Sequence, residues 1–136
     1  MGSVIPILEH DIQRTYFEWV RTMAAQDGRY AYIWAVPNAG KRSSQNRIWM
    51  WQEGLARGYP DIVIDWPMGK YVGARIEAKS LKGKLSPDQV IWLKRLGKAG
   101  FAVQVCYNLD DLMSFTRAYF ALRSHRTAAE PPDSQP

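Results

Sequence analysis

Two acids and a lysine, Asp61, Glu77 and Lys79, stand in segments whose alternation would bring them together. Residues 61–66 and 71–79 read as strands joined around Pro67-Met68-Gly69-Lys70. Side chains alternate faces along a strand. In the second segment Ala74, Ile76 and Ala78 share one face, and Arg75, Glu77 and Lys79 the other. In the first, Ile62 and Ile64 share a face opposite to Asp61, Val63 and Asp65. Matching apolar face to apolar face, with a turn centred on Gly69, sets Asp61 opposite Glu77. A one-residue slip would break that match. Two carboxylates this close repel each other unless a cation lies between them. Oxygen ligands with open positions suit Mg²⁺ or Mn²⁺, which keep several waters and bind substrate phosphates. A lysine on the same face can orient or deprotonate a water, or neutralise charge at a scissile phosphate. The set therefore suits metal-assisted phosphodiester hydrolysis. The same three residues would also make an ordinary ion-pair patch on an exposed sheet face. Spacing alone leaves both readings open.

The surrounding elements follow from periodicity and punctuation. Leu8, Ile12, Tyr16, Trp19, Val20 and Met23 recur at helical spacing, predicting a helix over residues 6–25 that Asp27-Gly28 ends. Residues 30–36 are β-branched and aromatic enough for a strand, stopped by Pro37-Asn38-Ala39-Gly40. A second helix is predicted over residues 44–57, with Ile48, Trp51 and Leu55 on one face. After the hairpin and a basic linker, Ser86-Pro87-Asp88-Gln89 opens a helix with Ser at N-cap, Pro at N1 and Gln at N3. That helix turns Val90, Leu93 and Leu96 inward and ends near Gly100. A strand over 101–107 and an amphipathic helix over 110–124 complete the order α-β-α-β-β-α-β-α. This is an α/β domain with a mixed central sheet flanked by helices. It is expected to span residues 1–124, with 125–136 as a disordered tail that has nothing to bury.

The chain has 136 residues, one cysteine and two histidines, which excludes a disulfide scaffold and a multi-cysteine zinc site. No apolar run approaches the ~20 residues of a membrane span, and no signal peptide is visible, so a cytoplasmic location is expected. The net charge of +5 suits a polyanionic partner. Between residues 70 and 100 there are eight basic residues and two acidic ones, which reads as a phosphate-facing surface or as a solvated helix face and loop. Cys106 reads as a small buried hydrophobe. The six tryptophans read as core or interface rather than base-stacking platforms. His10 is read as incidental.

Gly58-Tyr59-Pro60-Asp61 followed by Ile76-Glu77-Ala78-Lys79 resembles the split PD-(D/E)XK nuclease signature, and more narrowly that of the virus-type replication-repair nuclease (VRR-NUC) family. Glu9 with Gln13, Phe17 and Trp19 is similar to the family's first helix. Val36-Pro37-Asn38-Ala39-Gly40-Lys41-Arg42 is similar to its Pro-Asn-Gly-Gly loop, with Ala39 in place of a glycine. Gly83, Leu85, Ser86 and Gln89 are similar to its later loop and helix start. The resemblance covers roughly residues 8–120 and implies a restriction-endonuclease-like fold with the site at one end of the sheet. It implies Asp61, Glu77 and the backbone carbonyl of Ala78 as ligands of Mg²⁺, with Mn²⁺ as substitute. Glu9 would lie at the site directly or through water. Lys79 would be the catalytic lysine and Gln89 its support, although Gln89 is equally explained as a capping-box residue. Glu9 is equally a first-turn acid favoured by the helix dipole. Asn38, Lys41, Arg42, Lys82 and Lys84 are the candidate DNA contacts; Asn38 could equally belong to a plain turn.

These readings lead to a Mg²⁺-dependent, structure-selective DNA endonuclease. The resemblance implies a homodimer that cuts four-way junctions, with flaps and other branched DNA as secondary substrates. A two-fold dimer would present two sites to one junction. The rivals are a non-catalytic basic DNA-binding module on a nuclease-like scaffold, and a restriction-type nuclease reading duplex sequence. A pure binder has no need of Asp61, Glu77 and Lys79, and no separate recognition domain is evident.

Overall fold

A computed structural model of the protein describes residues 9–37 and 44–125, without the side chains of Glu9 and residues 44–47. The first helix, α1 (Glu9–Ala24), buries Ile12, Tyr16 and Val20, the four-residue stripe that its sequence carries. Residues 28–32 form a 3₁₀ turn that takes residues 30–32 out of the strand expected over 30–36, and only Ile33–Ala35 forms β1. The cause lies in Asp27 and Tyr30. Asp27 caps the turn by accepting the Arg29 amide proton at 3.1 Å. Its carboxylate also binds the Arg29 guanidinium at 2.7 Å, which holds the Asp27 carboxyl below the usual range. Tyr30 is then drawn into an aromatic cluster, 5.5 Å from Trp19 and 4.8 Å from Phe120.

The next elements are α2 (Ser44–Gln52), β2 (Ile62–Ile64), β3 (Ala74–Ala78), α3 (Pro87–Lys98), β4 (Ala102–Cys106) and α4 (Leu109–Phe120). The four strands lie in the order β1-β2-β3-β4. β1–β2 and β2–β3 pair antiparallel, while β3–β4 is parallel and takes α3 as its crossover. Helices α1 and α4 cover one face over Ile62, Ile64, Ala74, Ile76 and Ala78. Tyr16 and Thr116 join the two helices by a 2.7 Å bond between their hydroxyls. Burial pushes the Tyr16 hydroxyl well above its ordinary pKa and that of the Cys106 thiol to about 12. Helix α3 covers the other face: Trp92 packs on Tyr59, which in turn accepts a bond from Arg75 on β3.

The hairpin register is Ile62↔Ile76, Val63↔Arg75 and Ile64↔Ala74, the one set by matching apolar faces. Its turn sits half a step later than expected. Met68 and Tyr71 exchange both backbone bonds around Gly69-Lys70. The first strand carries one more residue between turn and ladder than the second, and this bulge restores the register. Gly73 makes the close approach possible, since a β-carbon there would lie 2.8 Å from the Ile64 carbonyl oxygen.

The second helix ends at Gln52, short of the expected residue 57, and Ile48, Trp51 and Leu55 are all exposed, Trp51 by 77%. Of the six tryptophans, Trp19 and Trp66 pack against the core, Trp92 packs on Tyr59, and Trp34, Trp49 and Trp51 are exposed. His125, where the tail was expected to start, lies 2.9 Å from the Gly69 carbonyl oxygen, and residues 126–136 are outside the described set. Among the described residues no helix is long and apolar enough to cross a membrane.

Candidate active site

At the C-terminal end of β3 the alternation places Glu77 and Lys79 on the α3 face and turns Ala78 to the core. The Glu77 side chain is almost wholly buried, at 2% exposure. A charge in such a place requires partners. The Lys79 ammonium lies 3.8 Å from Glu77 Oε1, and the Gln89 side-chain amide donates to the same oxygen at 2.8 Å. Burial removes the exposed ion-pair reading, since that patch needs solvent on both acid and base.

Gln89 is the capping-box residue expected of it, and its side chain also reaches Glu77 rather than Lys79. Its Oε1 accepts the Ser86 amide proton at 2.8 Å, and Ser86 Oγ accepts the Gln89 amide proton at 3.2 Å. An amide N–H can only donate, so the cap fixes which end of the Gln89 side chain faces Ser86. The NH₂ is thereby turned to Glu77. The helix cap thus orients the side chain that bonds Glu77.

Asp61 sits just ahead of β2, where the buried Pro60 and a bond from the Val36 amide to its carbonyl (2.8 Å) fix its backbone. Its Oδ2 accepts the Ala78 amide proton at 3.0 Å. In an antiparallel ladder the N–H and C=O of one residue face the same neighbour. The Ala78 carbonyl is therefore directed to the Asp61 side of β3. The structure thus gathers Asp61, Glu77, Ala78, Lys79 and Gln89 at one end of the sheet.

Gly58 positions this group from outside. It adopts φ +83°, and a β-carbon there would lie 2.7 Å from the Asp88 backbone carbon and 2.9 Å from the Gln89 nitrogen. Only a residue without a side chain lets this loop lie against the first turn of α3.

The other predicted residues divide. Lys82 and Lys84 are exposed on the loop between β3 and α3. Asn38, Lys41 and Arg42 lie outside the described residues, as does the Glu9 side chain. Glu9 opens α1, whose next residues His10 and Gln13 line a cleft of about 730 Å³ together with Asp61. Arg75 departs from the phosphate-facing surface expected of residues 70–100. It is buried, stacks on Phe101 at 4.2 Å, donates to Tyr59 Oη at 2.8 Å and reaches Asp65 at 3.4 Å. The sequence reading also missed the cleft-lining residues Arg14, Arg21 and Trp34. The signal for the first two was the seven-residue interval on α1, which returns to the same helix flank.

The donor set suits a small divalent cation. Two carboxylates and a peptide carbonyl are hard oxygen ligands, and Mg²⁺ completes its shell with water rather than demanding an all-protein cage. Among the described residues no group of three or more His, Cys, Asp or Glu side chains gathers for a metal; the Glu9 side chain lies outside them.

A mixed four-stranded sheet, two helices on one face, a crossover helix on the other and acids at the strand ends define a PD-(D/E)XK-like nuclease fold. The model of the VRR-NUC domain matches residues 19–108, and the chain belongs to that nuclease family. The match contains Asp61, Glu77, Lys79 and Gln89 and begins after Glu9. A solved structure described as a VRR_NUC domain protein is 23% identical, with a TM-score of 0.77 over 94% of this chain and 100% of the other. No curated protein matches the chain.

Proposed function

We propose that this nuclease domain is a Mg²⁺-dependent endonuclease that hydrolyses phosphodiester bonds in branched DNA, with Mn²⁺ as an alternative ion. The observation that carries the reading is the buried Glu77 carboxylate, gripped by Lys79 and Gln89 beside Asp61. A buried acid at a strand end is costly and serves no packing need. Asp61, Glu77 and the Ala78 carbonyl would hold the cation, which when bound supplies Lewis-acid polarisation of the phosphate. Glu9 would approach from the first turn of α1. Lys79 orients the attacking water and neutralises charge on the phosphoryl oxygens. The water oxygen bonds to phosphorus as the bond to the 3′ oxygen breaks, leaving a 5′-phosphate and a 3′-hydroxyl. The exposed Lys82 and Lys84, with Asn38, Lys41 and Arg42, would contact the DNA backbone.

The preferred substrate in this reading is a four-way junction cut by a homodimer, with flaps as secondary substrates. What supports dimerisation is that Ile48, Trp49 and Trp51 on α2 and Leu55 just after it are all exposed large apolar side chains. Incubating labelled junction, flap and linear duplex with Mg²⁺ tests the reading, alongside a solution mass measurement. Junction cleavage by a dimer is expected, and Asp61→Ala should abolish cleavage while keeping DNA binding. Mg²⁺-independent cutting, or an Asp61→Ala variant that still cuts, would refute the site.

A further inference from the structure

Arg75 is a cation set among uncharged neighbours. Its register partners, Val63 on β2 and Val103 on β4, are apolar, yet its own exposure is only 8%. A buried guanidinium is costly, and an apolar side chain would serve packing there at least as well. Its bonds show what it holds. Nε donates to Tyr59 Oη at 2.8 Å, and a terminal nitrogen donates to the Ala74 carbonyl at 2.9 Å. The other terminal nitrogen lies 3.4 Å from Asp65, whose side chain is half-exposed. The bond to Tyr59 is the short, charge-assisted one to another side chain; the Asp65 pair is long and open to solvent.

These attachments fall on both sides of Asp61. The Arg75 backbone stands opposite Val63, two residues after Asp61, and its side chain holds Tyr59, two residues before it. One residue of β3 thus ties the neighbouring chain at two points that bracket the acid. The second tie is needed because β2 begins only at Ile62, so the regular ladder stops short of Asp61. Tyr59 is clamped from its other side by the Trp92 ring of α3, with centroids 5.1 Å apart. In the middle of the bracketed stretch, Asp61 Oδ2 meets the Ala78 amide at 3.0 Å. A carboxylate that must meet both a peptide N–H and a cation gains from a backbone fixed on either side.

We propose that Arg75 and Tyr59 form a brace that positions Asp61 against Ala78 for its role as a cation ligand. Arg75 is a positioning residue: its side chain acts on the site through the Tyr59 hydroxyl and the chain that leads from it to Asp61. The inference rests on the reading of Asp61 as a ligand, and its test separates the two.

The test uses the full chain. Tyr59→Phe removes the hydroxyl and keeps the ring against Trp92; Arg75→Met removes the cation and keeps an unbranched stem. Amide hydrogen exchange, followed by NMR without divalent ions, compares Ala78, whose proton Asp61 accepts, with Ile76 in the hairpin ladder. Both variants should speed Ala78 relative to Ile76 by about 2- to 12-fold, the range for losing one hydrogen bond. A general loosening of the fold would move the two amides together. The double variant should do no more than either single one, because both substitutions break the same bond. Mn²⁺ titration read by electron paramagnetic resonance should show about tenfold weaker binding in the variants, the low end of the range for outer-shell partners of a metal site. Asp27→Asn, which weakens an ion pair in another part of the fold, should move neither readout. An unchanged ratio of Ala78 to Ile76 exchange in either variant would overturn the brace. So would variants that bind Mn²⁺ as tightly as a parent that binds it. Faster Ala78 exchange in a chain that takes up no Mn²⁺ leaves the brace standing and refutes the metal site. A parent that binds Mn²⁺, with Ala78 exchange indifferent to both substitutions, does the reverse.

Discussion

Gln89→Ala removes two hydrogen bonds of different character, and their difference can be measured. One is the exposed capping bond to the Ser86 amide, and the other is the 2.8 Å bond to the buried Glu77 carboxylate. A typical neutral bond contributes about 0.5–1.5 kcal/mol and one to a charged group about 1.5–3 kcal/mol. The two together give an expected loss of unfolding free energy of about 2–4 kcal/mol. Ser86→Ala disturbs only the cap and should cost about 1 kcal/mol. Urea unfolding followed by far-UV circular dichroism reads both, with the midpoint moving at constant slope. The excess of Gln89→Ala over Ser86→Ala is the share belonging to Glu77. Repeating the pair in a Glu77→Gln background should shrink that excess to about 1 kcal/mol, because the acceptor is then neutral. If Gln89→Ala costs no more than Ser86→Ala, the bond to Glu77 carries no weight and Gln89 is only a cap.

Three other outcomes follow from the same geometry. Lys79→Met leaves the buried Glu77 carboxylate with less compensation. A charge pair near 4 Å is worth up to about 4 kcal/mol in an effective dielectric of ~20, less the lysine's own desolvation. A loss near ~2 kcal/mol in unfolding free energy is expected at pH 7 from urea unfolding; a variant as stable as the parent would contradict it. Asp27→Asn keeps an acceptor for the Arg29 amide but discards the charge that binds the guanidinium. A carboxyl held below its ordinary value stabilises the fold above that value and ceases to as pH falls through its folded one. Thermal melts should thus show Asp27→Asn less stable than the parent at neutral pH, with the gap closing below the ordinary carboxylate range. Gly58→Ala should lower stability by about 1–3 kcal/mol, from its φ of +83° and the 2.7 Å clash with Asp88. Because the clash pushes on the first turn of α3, cleavage should fall by more than the folded fraction does.

What the sequence disclosed was whatever local rules govern. Period-two alternation in residues 74–79 told which side chains share a face, and the same rule fixed the register through Ile62 and Ile76. The cap at Ser86 was legible because its signal is four adjacent residues. The misses are all tertiary. Arg75 follows the alternation of Glu77 and Lys79, yet nothing local announces that Tyr59 and Phe101 close over it. Ile48, Trp51 and Leu55 have helical spacing, but the helix stops at Gln52, and spacing does not say that a partner surface exists in the same chain. The strand expected at residues 30–32 lost to a side-chain cap at Asp27 and to the aromatic pocket that takes Tyr30. The cleft beside Asp61 has walls from α1 and β1, and only the folded chain sets them face to face.

The dual duty of Gln89 follows from topology rather than coincidence. β3 and β4 are parallel, so the chain must leave β3 at its C-terminal end and return through a crossover before β4 can begin. That crossover is α3, and its first turn must lie close to where β3 stops. The end of β3 is where Glu77, Ala78 and Lys79 stand. A capping glutamine at the third position of α3 is therefore delivered to the acid, and the cap turns its amide donor inward. The same placement explains why an acid at a strand end, where solvent would be expected, is only 2% exposed. It also explains why the Gly58 loop, which packs on that first turn, cannot carry a side chain. Register brings Asp61 and Ala78 together, topology brings Gln89, and the alternation of one strand brings Glu77 and Lys79. Three independent backbone constraints converge on one pair of carboxylates, which is how a small domain holds costly charges in fixed positions.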